Sequence, residues 1–258
     1  MPSFAAEASK MLPDLVKIRR DLHQIPEFGL HLPKTQAYVL EQIADLGEIT
    51  LGKDLSSIVL VIDSGKPGPT VLLRADMDAL AVQEENDLSF KSTNGFMHAC
   101  GHDLHTASAI GAAKLLHQRK HEFNGKVAIW FQPGEEGHGG ADMMIDEGAL
   151  KLTGELPIAA YGLHVFTSIP LGLFTSKPGT LMASAGGMIV ELEGQGGHGS
   201  MPWLSRDPIT AATEIISSLQ QLVTKRFSAL DPVIVNVGWI HAGDQTTTNV
   251  IPERASFG

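Results

Sequence analysis

The sequence predicts an α/β protein with a mixed, largely parallel sheet flanked by helices, followed by a smaller α+β domain. Two observations predict this fold. Short β-branched and leucine-rich runs alternate with helical runs through residues 1–182, which is typical of a sheet with helices on both faces. From about Ala183 onward, a separate strand–helix–strand pattern takes over. We therefore predict one domain over residues 1–182 and a second, incomplete domain over residues 183–258.

Two helices are predicted to open the chain. The first lies in LPDLVKIRRDLHQIPE, where Pro13 suits the first helical turn and Leu15, Ile18 and Leu22 recur on one face. The second lies in LPKTQAYVLEQIADLG and begins at Pro33. Its end is predicted at Gly47, because glycine is favoured directly after a helix.

The next segments alternate between strand and helix. The predicted strands are residues 57–62, 70–76, 126–132 and 158–165, and the predicted helices are residues 105–118 and 140–151.

The second domain begins with a strand in GGMIVELEG and continues with a long amphipathic helix. Two further strands complete it, and the last reaches the final residue without a turn or cap. The predicted bounds are residues 186–194, 206–226, 232–240 and 248–258.

Composition excludes several classes of partner. Lys and Arg total 19 against 29 Asp and Glu, a formal net charge of −10, whereas nucleic-acid binding needs a concentrated basic surface. The single cysteine excludes an internal disulfide. The opening segment lacks the features of a signal peptide, and no apolar run approaches the roughly 20 residues that span a bilayer. We therefore expect a cytoplasmic protein that binds neither nucleic acid nor membranes.

Four polar clusters lie at the ends of predicted strands or just before a predicted helix. Ligands bind at the carboxyl ends of strands in open α/β sheets, so these clusters are expected to converge on one crevice. They contain Asp76 and Asp78 in RADMD, Cys100 and His102 in HACGHD, Glu135 and Glu136 in QPGEEGHGG, and His164 in GLHV.

Each cluster alone also has a purely structural interpretation. The aspartate pair is typical of a turn, and the glutamate pair is typical of a solvated helix start. His164 alone is more often a satisfied polar residue, and Cys100 alone a small buried hydrophobic one. Together they favour a metal site, because thiolate, imidazole and carboxylate bind zinc and neighbouring divalent metals. Of two adjacent carboxylates, one can bind metal while the other moves a proton.

Several motifs in fixed order resemble the amidohydrolase branch of the M20 metallopeptidase family. This group includes hippurate hydrolases, N-acyl-amino-acid deacylases and auxin-conjugate hydrolases. The motifs are RRDLHQIPE, VLLRADMDAL, MHACGHDLHTA, WFQPGEEGHGGADMMI, GLHV, GQGGHGSMPW and NVIPE.

The resemblance implies a zinc-peptidase-like catalytic domain with two divalent ions (Zn, Mn, Co or Ni) and an inserted satellite domain that forms a homodimer. It implies hydrolysis of the amide bond of N-acyl amino acids by a water shared between the two ions. The implied roles are metal ligation by Cys100, His102, Glu136 and His164, general-base catalysis by Glu135, support of the site by Asp78, and substrate binding by His198 and Asn249.

Two departures from the family pattern matter. Ala81 stands where the family usually has proline after DAL, and we expect only a local effect on the backbone. Family members also continue beyond the length of this chain and return with a last metal-ligating histidine. We therefore expect either a fragment or a truncated product. The alternatives to an amidohydrolase are an inactive metal-binding or dimerisation protein and a dipeptidase of the same fold.

Overall fold

The computed structural model describes residues 3–182, 186–228, 231 and 233–258. The chain divides into two compact units, Met1–Leu171 and Gly172–Gly258. Ala183, where the sequence predicts the domain boundary, lies outside the described residues, so that boundary stays a prediction. No helix within the described ranges is long and apolar enough to cross a bilayer.

The first unit contains four α-helices. The predicted start of the first helix was wrong, because Pro13 lies well inside it. Its true start follows Ser3, whose hydroxyl accepts a hydrogen bond from the amide of Ala6 and caps the helix. The helices are α1 (Phe4–His23), α2 (Pro33–Ile43), α3 (His102–Gln118) and α4 (Gly140–Asp146).

The five strands of the first unit form one mixed sheet in the order β1-β2-β4-β3-β5. β3 pairs in parallel with β4 and β5, whereas β2 runs antiparallel to both of its neighbours, β1 and β4. Four of the five strands therefore point the same way, and the predicted largely parallel sheet is confirmed. The strands are β1 (Glu48–Leu51), β2 (Ile58–Asp63), β3 (Thr70–Asp76), β4 (Lys126–Gln132) and β5 (Ala159–Gly162).

Gly47 does not end α2 as predicted. The helix ends at Ile43, and Gly47 has no positive φ, so it is not a left-handed cap. An added Cβ at Gly47 would overlap the backbone carbonyl oxygen of Val61 in β2. Glycine is needed here because the chain passes against β2 as it enters β1.

Helices cover both faces of the sheet. On β2, Ile58, Leu60 and Ile62 belong to the core that packs against α1, α2 and α3. The alternate residues Val59 and Val61 pack on the other face with Met144 of α4. The period of two along a strand thus divides the apolar side chains between two cores, which explains the nearly continuous apolar run of β2.

The described residues of the second unit form one long helix and two small antiparallel sheets, β6-β10-β8 and β7-β9. Its core includes Ala212, Ala255 and Phe257. The elements are β6 (Val190–Glu193), β7 (Gly197–His198), α5 (Pro208–Arg226), β8 (Ile240–Ala242), β9 (Val250–Ile251) and β10 (Arg254–Phe257).

Three strand predictions in this unit were wrong in extent. The first strand covers only Val190–Glu193 of the predicted 186–194. Residues 233–239 carry no strand, and β8 begins only at Ile240, while Pro232 lies outside the described residues. The predicted last strand is two short strands separated at Pro252 and Glu253. Proline lacks the N–H that a ladder requires, which accounts for the break.

We predict that Gly47→Ala lowers the free energy of unfolding by about 1–3 kcal/mol, the usual cost of forcing extra volume into a packed site. Gly162→Ala is the matched control, because the nearest atom to its added Cβ is 3.9 Å away. Chemical denaturation measures both variants. Equal stability of the two variants would show that the backbone at Gly47 relaxes freely.

Candidate metal centre

The carboxyl ends of β4, β3 and β5 lie side by side at one edge of the sheet. Asp76 ends β3, Glu135 and Glu136 follow β4, and His164 follows β5. Gly101, directly before α3, has a φ of +90°, a conformation that favours glycine. This turn delivers the first residue of α3, His102, to the same edge.

His102 occupies the centre of the cluster with only one ring nitrogen satisfied. Its Nδ1 donates a hydrogen bond to the backbone carbonyl of Asp78 at 2.8 Å. Its Nε2 is buried and has no hydrogen-bond partner within the described ranges. A buried polar atom without a partner is costly. Nε2 is the ring nitrogen that this arrangement leaves available to a ligand.

Thiol, imidazole and carboxylate groups surround that nitrogen. Nε2 of His102 lies 3.8 Å from Oε2 of Glu135 and 3.9 Å from Oε1 of Glu136. Cys100 and His164 approach each other with Sγ to Nε2 at 3.3 Å. Ligand atoms of Cys100, His102 and His164 all lie within 4.8 Å of one another, as do those of His102, Glu135 and Glu136. This donor set suits a divalent transition metal.

Asp78 holds the glutamate pair in place. Its two carboxylate oxygens accept hydrogen bonds from the backbone amides of Glu135 and Glu136 at 3.0 and 3.1 Å. Burial raises the pKa of Asp78, but these bonds and nearby His102 outweigh it and lower the pKa below its usual value. Asp78 therefore stays ionised as the acceptor for this turn.

Asp76 and His105 form a second supporting pair. Nδ1 of His105 donates to Asp76 at 2.6 Å, and its Nε2 accepts from the backbone amide of Val165 at 3.0 Å. Both ring nitrogens are therefore used. Burial raises the pKa of Asp76, but the His105 bond and the charges of His102 and Arg74 bring it down to about 2. The pair ties the end of β3 to the segment that carries His164.

Burial and nearby carboxylates affect the pKa of the Cys100 thiol. Burial and the carboxylates of Glu136 and Glu135 raise the pKa of its thiol to about 12. A divalent cation reverses this effect and deprotonates a coordinating thiol. The crowded acidic groups, the raised thiol pKa and the unpartnered His102 nitrogen all fit a bound cation.

The remaining two predicted site residues lie next to each other in the second unit. His198 in β7 pairs with Val250 in β9, and the amide of Gly199 donates to the carbonyl of Asn249 at 2.7 Å. Nδ1 of His198 lies 2.9 Å from the hydroxyl of Ser200.

Sequence reasoning missed a buried charged cluster behind the metal site. It contains His23 and the carboxylates of Glu84 and Asp103, each of which contacts a different ring nitrogen of His23 although it is far away in sequence. His23 and Asp103 stand inside quoted motifs, but no spacing or periodicity points to Glu84. The pairing is visible only in three dimensions.

Comparison with known proteins links the chain to one family. Residues 72–253 match the profile of peptidase family M20/M25/M40. The chain is 38% identical over 255 residues to IAA-amino acid hydrolase ILR1-like 2 of Arabidopsis thaliana, covering 98% of this chain and 56% of that protein. It is 39% identical over 251 residues to N-acetylcysteine deacetylase of Bacillus subtilis, covering 94% of this chain and 63% of that protein.

A solved structure agrees with these relatives. The crystal structure of the Bacillus subtilis YXEP protein, described as a dinuclear metal binding peptidase, matches with a TM-score of 0.70. Its sequence identity is 35%, and the match covers 96% of this chain and 63% of that chain. The present chain therefore spans less than two thirds of the length of each of these three proteins.

We predict that Asp78→Asn destabilises the protein and weakens metal binding. An asparagine offers one carbonyl oxygen to the two amides of Glu135 and Glu136, so one partly buried donor loses its acceptor, at a cost of about 1 kcal/mol. Chemical denaturation and Co²⁺ titration measure the two effects. Asp142→Asn on the exposed face of α4 is the control, and equal behaviour of the two variants would contradict the role of Asp78.

Proposed function

Because the chain belongs to peptidase family M20/M25/M40, we propose that it is a metal-dependent amidohydrolase that cleaves the amide bond of N-acyl amino acids. One observation carries the proposal. The buried Nε2 of His102 has no hydrogen-bond partner in the described part of the chain and faces a thiol and two carboxylates. Two relatives named as a hydrolase and a deacetylase of amino acid derivatives support the substrate class.

The proposed metal ligands are Cys100, His102, Glu136 and His164. Glu136 is the proposed ligand of the glutamate pair, because its side chain is the less exposed of the two. Nδ1 of His164 donates to the carbonyl of Val165 at 2.7 Å, which leaves Nε2 directed towards Cys100. Divalent ions held there would lower the pKa of a bound water and polarise the amide carbonyl.

Glu135 is the proposed general base. Its side chain is 39% exposed against 24% for Glu136, so it is the carboxylate that an entering substrate meets first. A carboxylate in this position accepts a proton from the attacking water and returns it to the leaving amine. His198 and Asn249 are proposed to bind the substrate carbonyl and carboxylate, as the family resemblance implies.

We predict that Glu135→Gln abolishes hydrolysis but keeps the metal. The amide preserves the shape of the side chain and cannot take a proton, so kcat falls by about 100-fold or more. The assay uses hippurate and N-acetyl amino acids with Mn²⁺, Zn²⁺ or Co²⁺, and Co²⁺ titration follows binding separately. Exposed Glu155→Gln is the control and should retain full activity.

The substrate panel separates the alternatives. Faster cleavage of free-amine dipeptides than of acylated amino acids would replace the amidohydrolase by a dipeptidase. If the unaltered chain and Glu135→Gln both turn over no substrate while binding Co²⁺, the chain is a metal-binding protein without this activity.

The second unit is proposed to form a homodimer, as the resemblance implies. Large apolar side chains are exposed on it, including Trp203, Ile234 and Ile240. We predict a mass of twice 27.6 kDa in sedimentation equilibrium at micromolar concentration. A mass of one chain across the concentration range would contradict this arrangement.

A further inference from the structure

A buried charged cluster lies behind the first turn of α3. The imidazole of His23, at the end of α1, is 2% exposed and stands between two carboxylates. Nδ1 lies 2.7 Å from Oδ2 of Asp103, and Nε2 lies 3.0 Å from Oε1 of Glu84. We call His23, Asp103, Glu84 and Arg19 the charge clasp.

Hydrogen bonding fixes the charge of His23. An ionised carboxylate can only accept, so both ring nitrogens must donate, and the ring is an imidazolium. The alternative is a protonated Asp103, which is disfavoured because Nε of Arg19 lies 2.8 Å from its Oδ2. The clasp therefore holds two cations and two anions. Its charges balance, as buried ions require.

The side chains of His23, Glu84 and Asp103 are buried. Besides the two carboxylates, Arg19 is the charged group that acts on His23 among the described residues. The ring of Phe90 packs edge-on to His23 at 5.7 Å, and the guanidinium of Arg20 lies over the Phe90 ring at 4.9 Å. The ring of His98 lies 6.3 Å from that of His23 and is itself buried.

The clasp joins three separate segments. His23 and Arg19 come from α1, and Asp103 comes from the first turn of α3. Glu84 comes from the loop between β3 and α3, where it also accepts from the amide of Ser92 and the side chain of Asn86, both at 2.6 Å.

Asp103 directly follows His102 in α3. Successive residues of a helix point about 100° apart. Fixing the direction of one of these side chains therefore fixes the direction of the other.

We propose that His23 is a positioning residue of the metal centre. By holding Asp103 it fixes the rotation of the first turn of α3, so that Nε2 of His102 and Sγ of Cys100 face the glutamate pair. This inference rests on the proposed function, because it concerns how the chain's own ligands are arranged for a metal. His23 itself contacts neither metal nor substrate.

Co²⁺ is the probe, because a thiolate bound to it gives a charge-transfer absorption that reports the position of Cys100. In His23→Gln, the glutamine carries no charge and cannot donate to both carboxylates. We expect Co²⁺ affinity to fall about 10- to 100-fold, the range for residues that orient metal ligands. The charge-transfer band should weaken at saturating Co²⁺.

His117→Gln is the matched control. His117 lies at the opposite end of α3 and donates from Nδ1 to the carbonyl of Leu46 at 2.7 Å. This variant should bind Co²⁺ with the unaltered affinity and spectrum. If His23→Gln also folds and matches the unaltered protein in both, the proposal is wrong.

Glu84→Gln is a second variant that tests the proposal if His23→Gln does not fold. It keeps an accepting oxygen and removes the charge that holds the imidazolium, so it should show the same spectral change to a smaller degree. An unchanged spectrum in folded Glu84→Gln would overturn the proposal.

Hydrogen exchange separates failure of this inference from failure of the proposed function. The amides of Leu104 and His105 donate to the carbonyl of Gly101 in the first turn of α3. Without any metal, both amides should exchange faster in His23→Gln than in His117→Gln. If the unaltered chain binds no Co²⁺, the metal centre is refuted, and unchanged exchange rates would then refute the clasp independently.

Discussion

The candidate centre depends on one hydrogen bond, from Nδ1 of His102 to the backbone carbonyl of Asp78. This bond occupies Nδ1 of a buried imidazole and leaves Nε2 as the ring nitrogen available to a metal. The carbonyl belongs to the residue whose carboxylate binds the amides of Glu135 and Glu136. A single residue thus orients an imidazole from α3 and two carboxylates from the loop after β4. Any shift of Asp78 would move all three together.

The sheet brings the site residues of β3, β4 and β5 to one place. β3, β4 and β5 are parallel neighbours, so residues distant in sequence leave the sheet at one edge. The Asp76–His105 pair then fixes the segment after β5 through the amide of Val165. Because β5 itself is short and mostly exposed, this contact is the main described restraint on the position of His164.

The sequence predicted the sheet well where strands are buried. β3 and β4 have the predicted bounds, because their apolar runs end abruptly at polar residues. The edge strand β1 was missed, since four half-exposed residues show little pattern. The start of α1 was misplaced because Pro13 looked like a first-turn residue, whereas the Ser3 cap lies upstream. The polar clusters could be predicted from strand ends, but Glu84 could not, because its partner lies 61 residues away.

The negative charge of Asp103 has to be balanced by groups other than the metal. It is a buried carboxylate adjacent to a proposed ligand, and an unpaired negative charge there would compete for the cation. Arg19 and His23 balance that charge, so it is not left for the metal to balance. The carboxylates of Glu135 and Glu136 have no such cationic partner among the described residues beyond His102. The cations of the charge clasp are thus used at Asp103, and the carboxylates of Glu135 and Glu136 are left to attract a divalent ion.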